Sequence, residues 1–236
     1  MAEKIKVICI GDSTSLPGHD NSYEDTWFYK LKTGFPNIDF ISVFRRGITT
    51  QILVTEGGGY DDFPMGADCL EFYEPQIVVL NLGIVDCAPR LLNRFGNLTI
   101  RFLPNFAKKR FIELFKKIRG RRSSNTLVSK EQFQYNLTNF FERCLVSDVK
   151  ILIVLCIPVP DRKMISKNPG IIKNVEEYNN ILHQIVVKYP FIKALSPLDS
   201  QKYTEDIFED GYHPNPLGNQ IVFQELEEIL INIINK

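Results

Sequence analysis

Five short apolar runs constrain the fold of this sequence more than any other feature. Each is nearly continuous in Val, Ile and Leu, which is typical of strands buried on both faces of a parallel sheet. The runs are IKVICIG (5–11), IDFISVF (38–44), QIVVLNLG (76–83), VKILIVLCI (149–157) and FIKALSPL (191–198). Because helical patterns lie between them, the sequence predicts a three-layer α/β/α sandwich with right-handed crossovers. Five such strands favour the flavodoxin-like order 2-1-3-4-5.

The helical patterns between the runs differ in strength. A short helix is predicted over 25–33, and apolar residues at helical spacing predict longer helices over 130–146 and 171–188. The last helix is predicted to begin with Asn215 as its N-cap and Pro216 in its first turn.

Composition narrows the class of protein. The chain has 236 residues, 44% of them hydrophobic, which suits one α/β domain spanning 1–236. Lys plus Arg and Asp plus Glu both number 28, so no nucleic-acid partner is expected. The N-terminus lacks a signal-peptide pattern and no apolar run reaches 18 residues, so a cytoplasmic protein without a membrane span is expected. The five Cys lack CxxC spacing, which favours buried free thiols.

One segment departs from the alternating scheme. Residues 97–124 read NLTIRFLPNFAKKRFIELFKKIRGRRSS, and they combine many basic residues with an apolar face. One interpretation is an inserted basic amphipathic helix that covers the site, touches an anionic glycan or lies on a membrane surface through 108–122. The other is a solvated helix that packs its Phe side on the domain.

Candidate chemistry begins where the first strand ends. Gly11, Asp12 and Ser13 follow the buried run directly, at the sheet edge where ligands of such folds bind. A Ser at this edge is a candidate nucleophile, and the amides of a following helix would face an oxyanion. Gly-Asp-Ser is also a common turn sequence.

A Ser nucleophile needs a base, and the chain has three His. His183 falls in the middle of an amphipathic helix, which indicates a structural or surface role. His19 lies in a loop, where it would line the site or be solvated. His213 precedes the last helix, and Asp210 lies three residues before it. Within a tight turn this spacing lets the carboxylate reach Nδ1 and leaves Nε2 for the nucleophile. The alternative is an Asp-Gly turn with an incidental His.

Together, Gly-Asp-Ser after the first strand and Asp-x-x-His before the last helix resemble the SGNH/GDSL hydrolase family, which is described by four sequence blocks. The resemblance implies that Ser13 is the nucleophile, His213 the base and Asp210 its orienting carboxylate. It also implies an SGNH-like fold and hydrolysis of esters or removal of acyl groups from lipids, small esters or carbohydrates, without a metal or another cofactor.

The second and third blocks are matched less completely. In FRRGITTQ, Gly47 is the candidate for the second-block Gly whose amide helps form the oxyanion hole, and Thr50 is the alternative. The third block, Gly-x-Asn-Asp, keeps Gly83 and Asp86 but has Val85 where the family has its oxyanion-hole Asn. Loss of one such donor costs about 10²–10³ in rate.

Arginines near these blocks are candidate substitutes for the missing donor. Arg90 lies on the third-block loop, and Arg45 and Arg46 follow the second strand. A guanidinium there would stabilise an oxyanion or bind an anionic sugar substrate, and the alternative for Arg90 is a surface salt bridge. Cys87 has no His paired with it by pattern and is interpreted as a buried thiol. The run 57–59, Gly-Gly-Gly, is interpreted as a flexible loop.

The leading hypothesis is a serine esterase that removes acyl groups, with a carbohydrate acetyl ester as the candidate substrate. The same residues would serve a sugar acyltransferase. A third hypothesis is a catalytically impaired module that binds a glycan or a protein partner, with Val85 as the sign of lost catalysis. The stretch GIVDCAPR (83–90) is also similar to a subgroup of SGNH-like proteins found with bacterial surface-polysaccharide genes. The sequence does not indicate an oligomeric state.

Overall fold

A computed structural model describes residues 4–54, 67–90, 125–203 and 206–234. The predicted basic helix over 97–124 and the glycines at 57–59 lie outside these ranges. Within them, five parallel strands form one sheet in the order β2-β1-β3-β4-β5, which confirms the predicted fold class and strand order. The strands are β1 (Lys6–Gly11), β2 (Asp39–Phe44), β3 (Ile77–Asn81), β4 (Ile151–Leu155) and β5 (Ile192–Leu195).

Seven α-helices lie in the described ranges, together with 3-10 turns at Ser13–Ser15, Tyr23–Asp25 and Thr50–Leu53. The helices are α1 (Trp27–Gly34), α2 (Ala67–Tyr73), α3 (Ile84–Cys87), α4 (Lys130–Val146), α5 (Arg162–Lys167), α6 (Ile171–Val186) and α7 (Pro216–Ile234). The predicted long helices are confirmed as α4, α6 and α7. The sequence missed α2, α3 and α5, because helices of one or two turns are too short to show an amphipathic repeat.

Capping decides two helix starts. The helix expected from Asp25 begins at Trp27, because the Thr26 hydroxyl caps the amide three residues further on. The predicted N-cap of α7 is confirmed, since Asn215 Oδ1 accepts the backbone N–H of Gly218 at 2.9 Å.

A side chain also ends β4 earlier than predicted. The strand stops at Leu155, although the apolar run continues to Ile157. Asn179 on α6 accepts the backbone N–H of Ile157 and donates to its carbonyl, both at 2.9 Å. This amide takes the place of a neighbouring strand.

Alternation along the strands supplies a core on each face of the sheet. Val78 and Leu80 of β3 pack in the cluster that includes α4 and α6, whereas Ile77 and Val79 pack in the cluster that includes α1 and α7. Covering both faces explains why the strand runs are continuously apolar.

Two further expectations concern the cysteines and membrane-spanning helices. All five Cys are buried and free, as predicted. Among the residues that the structure describes, no helix combines the length and the apolarity that crossing a bilayer requires.

Candidate active site

The site is built where three adjacent strands end. Gly11, the last residue of β1, pairs in register with Phe44 of β2 and with Asn81 of β3. The segments that follow these strands therefore emerge side by side, and they contain the Gly-Asp-Ser, Gly47 and Gly83 blocks respectively. The expected meeting of the sequence blocks at one sheet edge follows from this register.

The Ser13 hydroxyl lies within hydrogen-bonding distance of His213. Nε2 of His213 is 2.9 Å from Ser13 Oγ, although 200 positions separate the two residues. Nδ1 of the same ring is 2.8 Å from Asp210 Oδ2. In this arrangement Nε2 can take the hydroxyl proton while the Nδ1–H group donates to the carboxylate.

The Asp210 carboxylate is more open to solvent than the His213 ring. The side chain of Asp210 is 52% exposed, against 17% for His213. Burial raises the pKa of Asp210, but the hydrogen bonds and charge of His213 lower it further, so the net pKa is below its usual range. Asp210 is therefore ionised at neutral pH, the state in which it accepts the Nδ1–H group.

Sequence reasoning missed the residues that hold the His213 loop in place. The ring of Tyr212 packs on the His213 imidazole, with centroids 4.3 Å apart. Glu209 accepts hydrogen bonds from the His19 backbone N–H and the Asn21 side chain, and Asn21 also donates to the Pro214 carbonyl at 2.7 Å. These contacts tie the loop after Ser13 to the loop that carries His213. A polar loop residue gives no sequence signal for a partner this far along the chain.

Two backbone N–H groups remain available at the sheet edge where β1 and β2 end. Within the described ranges, neither the N–H of Ser13 nor that of Gly47 donates to a protein acceptor. Gly47 is exposed, has φ of 75°, and has open space where a Cβ would be. The Thr50 amide, the alternative second-block donor, instead donates to Asp86 at 3.0 Å. Gly47 is therefore the better candidate for an oxyanion donor.

The third block lies next to this turn. Asp86 is fully buried, and its carboxyl contacts both the amide and the hydroxyl of Thr50. Burial raises the pKa of Asp86 to about 7, although the Thr50 hydrogen bonds oppose the shift. Val85, its neighbour in α3, is 7% exposed and belongs to the apolar core. Its side chain offers no hydrogen-bond donor.

Gly83 is required by packing. Its φ is 129°, and a Cβ at this position would lie 2.7 Å from Cγ1 of Ile157. Both observations disfavour a larger residue, because the positive φ would strain its backbone and the Ile157 side chain would have to move. The glycine thus lets the chain turn from β3 into α3 against the segment that follows β4.

Asp12 caps the short turn that contains Ser13. Its Oδ1 accepts the amide and the hydroxyl of Thr14, at 2.9 and 2.8 Å. The side chain is fully buried, and burial raises the pKa of Asp12 to about 6. Its contacts to Thr14 stabilise the turn in which Ser13 lies.

The arginines are placed differently from the triad candidates. Arg46 donates to the Pro17 carbonyl at 2.7 Å, on the loop after Ser13. The backbone N–H of Arg90 donates to the Asn125 carbonyl at 2.8 Å, and the Asn125 side-chain amide donates to the Arg90 carbonyl at 3.1 Å. Among the described contacts, neither guanidinium touches Ser13 or His213.

The remaining candidates lie outside this cluster. Burial raises the pKa of the Cys87 thiol well above its usual value, and its Sγ faces the Ile84 carbonyl, as expected of a buried thiol. His183 is exposed on α6, with Nε2 3.8 Å from Cys156 Sγ, and His19 is exposed in its loop. Within the described ranges, no three His, Cys, Asp or Glu side chains converge in a group that would hold a metal ion.

Comparisons with known proteins identify the fold. No protein-family model matches the chain, and no curated protein sequence matches it. Solved structures do match: a protein assigned to the lipolytic G-D-S-L family from Desulfitobacterium hafniense has 17% identity and a TM-score of 0.60, covering 96% of this chain and 99% of that one. The chain has the SGNH/GDSL hydrolase fold.

Two further structures with this fold have ester chemistry in their names. The psychrotrophic esterase EstA from Pseudoalteromonas sp. has 16% identity and a TM-score of 0.59, covering 98% of this chain and 99% of its own. A carbohydrate acetylesterase family member from Sinorhizobium meliloti has 15% identity and a TM-score of 0.58, covering 98% of this chain and 100% of its own. At identities this low, the structural similarity establishes a shared fold.

Proposed function

We propose that this protein is a serine esterase that forms an acyl-enzyme on Ser13. The observation that carries the proposal is the continuous contact from Ser13 Oγ through His213 to Asp210, with distances of 2.9 and 2.8 Å. An intact contact of this kind favours a working enzyme over an impaired binding module, since binding alone does not require a base at the serine hydroxyl.

The mechanism follows from the geometry. Ser13 Oγ attacks the acyl carbonyl carbon while its proton passes to His213 Nε2. The carbonyl oxygen becomes an oxyanion that the N–H groups of Ser13 and Gly47 stabilise. His213 then donates the proton to the leaving alcohol. Water attacks the acyl-enzyme, with the same base accepting and returning its proton, and the acid is released.

We further propose a carbohydrate acetyl ester as the substrate. The support is the names of neighbouring folds, a carbohydrate acetylesterase family member and an acetyl-xylooligosaccharide esterase from Geobacillus. Transfer of the acyl group to a sugar hydroxyl in place of water uses the same residues. Incubating the protein with an acetyl donor and a sugar acceptor separates the two: released acetate indicates hydrolysis, and an acetylated sugar indicates transfer.

The experiment that tests the esterase proposal is covalent labelling. A fluorophosphonate probe is expected to form one adduct, which peptide mass spectrometry places on Ser13, because only a serine with a base at its hydroxyl is nucleophilic enough. Ser13→Ala is expected to remain unlabelled. Absence of an adduct on the wild-type protein, together with no hydrolysis of p-nitrophenyl acetate, would rule the proposal out.

Val85 leads to a separate prediction. Val85→Asn is expected to raise kcat for p-nitrophenyl acetate about tenfold or more with KM unchanged, because an added donor stabilises the oxyanion of the transition state. The position adjoins Asp86, which holds the turn that carries Gly47. Val85→Leu is the matched control, which alters packing without adding a donor. Equal kcat in the folded Asn and Leu variants would place this side chain outside the oxyanion hole.

A further inference from the structure

A buried polar chain connects the third block to the interior of α4. It runs from Asp86 through Thr50 to Asn136, a residue with no exposed surface on the apolar side of its helix. Sequence reasoning passed over Asn136, although a polar residue three positions after the core residue Phe133 is a signal of buried hydrogen bonding. The donors and acceptors available along this chain determine which group donates in each hydrogen bond.

The contacts of the Asn136 amide distinguish its oxygen from its nitrogen. One atom of its side-chain amide lies 3.0 Å from Thr50 Oγ1 and 3.2 Å from the backbone nitrogen of Gln51. A backbone N–H can only donate, so this amide atom is the oxygen, Oδ1. The other amide atom is then the nitrogen, which donates to the Gln132 carbonyl at 3.2 Å. It also lies 2.7 Å from the Gln132 side-chain amide, so that amide turns its oxygen toward Asn136 to accept a second hydrogen bond.

The Thr50 hydroxyl has a single hydrogen and can therefore donate only one hydrogen bond. Because Asn136 Oδ1 cannot donate, the hydroxyl donates its hydrogen to Asn136. Thr50 Oγ1 also lies 2.5 Å from Asp86 Oδ1, and this contact then needs a hydrogen from Asp86. The Thr50 N–H lies 3.0 Å from Oδ1 and 3.2 Å from Oδ2, so Oδ2 remains its acceptor when Oδ1 holds the proton.

We infer that Asp86 is a neutral carboxylic acid that donates to Thr50 Oγ1, and that Asp86, Thr50 and Asn136 position the Gly47 amide. The second part rests on the proposed function, and the first does not. The turn is held at both ends, because the Arg45 N–H bonds to the Gly11 carbonyl before Gly47 and Thr50 bonds to Asp86 after it.

The surroundings favour the neutral form of the acid. The titratable groups that face Asp86 are Asp12 at the end of β1, Cys87 beside it in α3 and Tyr178 on α6. Burial disfavours a charge on Asp86, and an ionised Asp12 repels that charge to a smaller extent, so both act to raise the pKa of Asp86. On the side of α4, the residue linked to Asp86 through Thr50 is Asn136, which carries no charge.

Infrared spectroscopy tests the protonation state directly. At about pH 6, below the Asp86 pKa of about 7, the protonated-carboxyl band is expected to be weaker in Asp86→Asn than in the wild-type protein by the share of one carboxyl. Asp12, whose pKa burial raises to about 6, contributes a smaller share at this pH. Asp12→Asn is the matched control and is expected to keep the Asp86 share of the band. Carbon-13 NMR of wild-type protein labelled at its aspartate carboxyls makes the same measurement without a substitution. An Asp86 carboxyl already ionised at pH 6 by either method would overturn the assignment, whether or not the protein is an esterase.

Kinetics test the positioning role. Thr50→Val removes the hydroxyl at nearly constant volume, and kcat for p-nitrophenyl acetate is expected to fall about tenfold or more with KM unchanged, because a displaced oxyanion donor acts on the transition state. Thr50→Ser restores the hydroxyl and is expected to recover most of kcat. A folded Thr50→Val with wild-type kcat, or a Thr50→Ser as slow as Thr50→Val, would overturn the role. Absence of any wild-type turnover would instead reject the proposed function.

Discussion

Replacing His213 with alanine is expected to lower kcat for p-nitrophenyl acetate by about 10⁴–10⁶-fold. The ring contacts Ser13 Oγ at 2.9 Å and is the proposed acceptor of the serine proton, so its removal leaves the hydroxyl with no base to activate it. Labelling of Ser13 by a fluorophosphonate probe is expected to slow in parallel, because it depends on the same proton transfer.

Two variants serve as comparisons for this prediction. His183→Ala removes an exposed histidine of α6 and is expected to keep the wild-type kcat. Asp210→Asn is expected to give a smaller loss than His213→Ala, because the Asp210 carboxylate is half-exposed and water partly replaces it as the partner of Nδ1. A folded His213→Ala variant with unchanged turnover would show that this histidine is not the base.

The second large effect concerns stability rather than rate. Between pH 4 and pH 7, the free energy of unfolding is expected to fall by up to about 4 kcal/mol more in the wild-type protein than in Asp86→Asn. Burial raises the pKa of Asp86 from 3.8 to about 7, so the folded state keeps a proton that the unfolded chain has released. Stability from this group is fully present below the unfolded pKa and is lost as the pH rises to about 7.

Urea unfolding at several pH values measures this dependence. Asp86→Asn carries no titrating group at the position, and its amide can donate to Thr50 Oγ1 as the neutral acid does. Asp39→Asn replaces an exposed carboxylate on β2 and is the matched control, expected to follow the wild-type pH dependence. Asp12 contributes with the same sign, since burial raises its pKa to about 6, and it remains in all three proteins. Parallel curves for wild type and Asp86→Asn would contradict the prediction.

Much of the fold could be predicted because its signals are local. A strand covered on both faces has to be apolar at every position, so continuous Val, Ile and Leu runs mark β1, β3 and β4. The helices α4 and α6 repeat their apolar residues often enough to be recognised, whereas α3 has only four residues and no repeat. Boundaries shifted where one side chain, such as Asn179, bonded to a backbone that the pattern assigned to a strand.

The candidate site was also predictable only in part. The residue types Ser13, Asp210 and His213 and the sheet edge at which to look for them were predictable, because each follows or precedes an element with a clear pattern. Val85 was visible as a departure from the family block. What Arg90 bonds to was not predictable, and its backbone partner Asn125 follows a segment outside the described residues.

The sequence alone determined the layers of this protein, the order of its strands and the edge where a serine and a histidine would meet, because strand and helix periodicity are properties of neighbouring residues. Only the tertiary structure decided which side chains bond across that edge. Ser13 and His213 are 200 positions apart, Thr50 and Asp86 are 36 apart, and Thr50 and Asn136 are 86 apart. Such pairs depend on strand register and on how each loop packs, and burial then sets which of their carboxyls hold a proton.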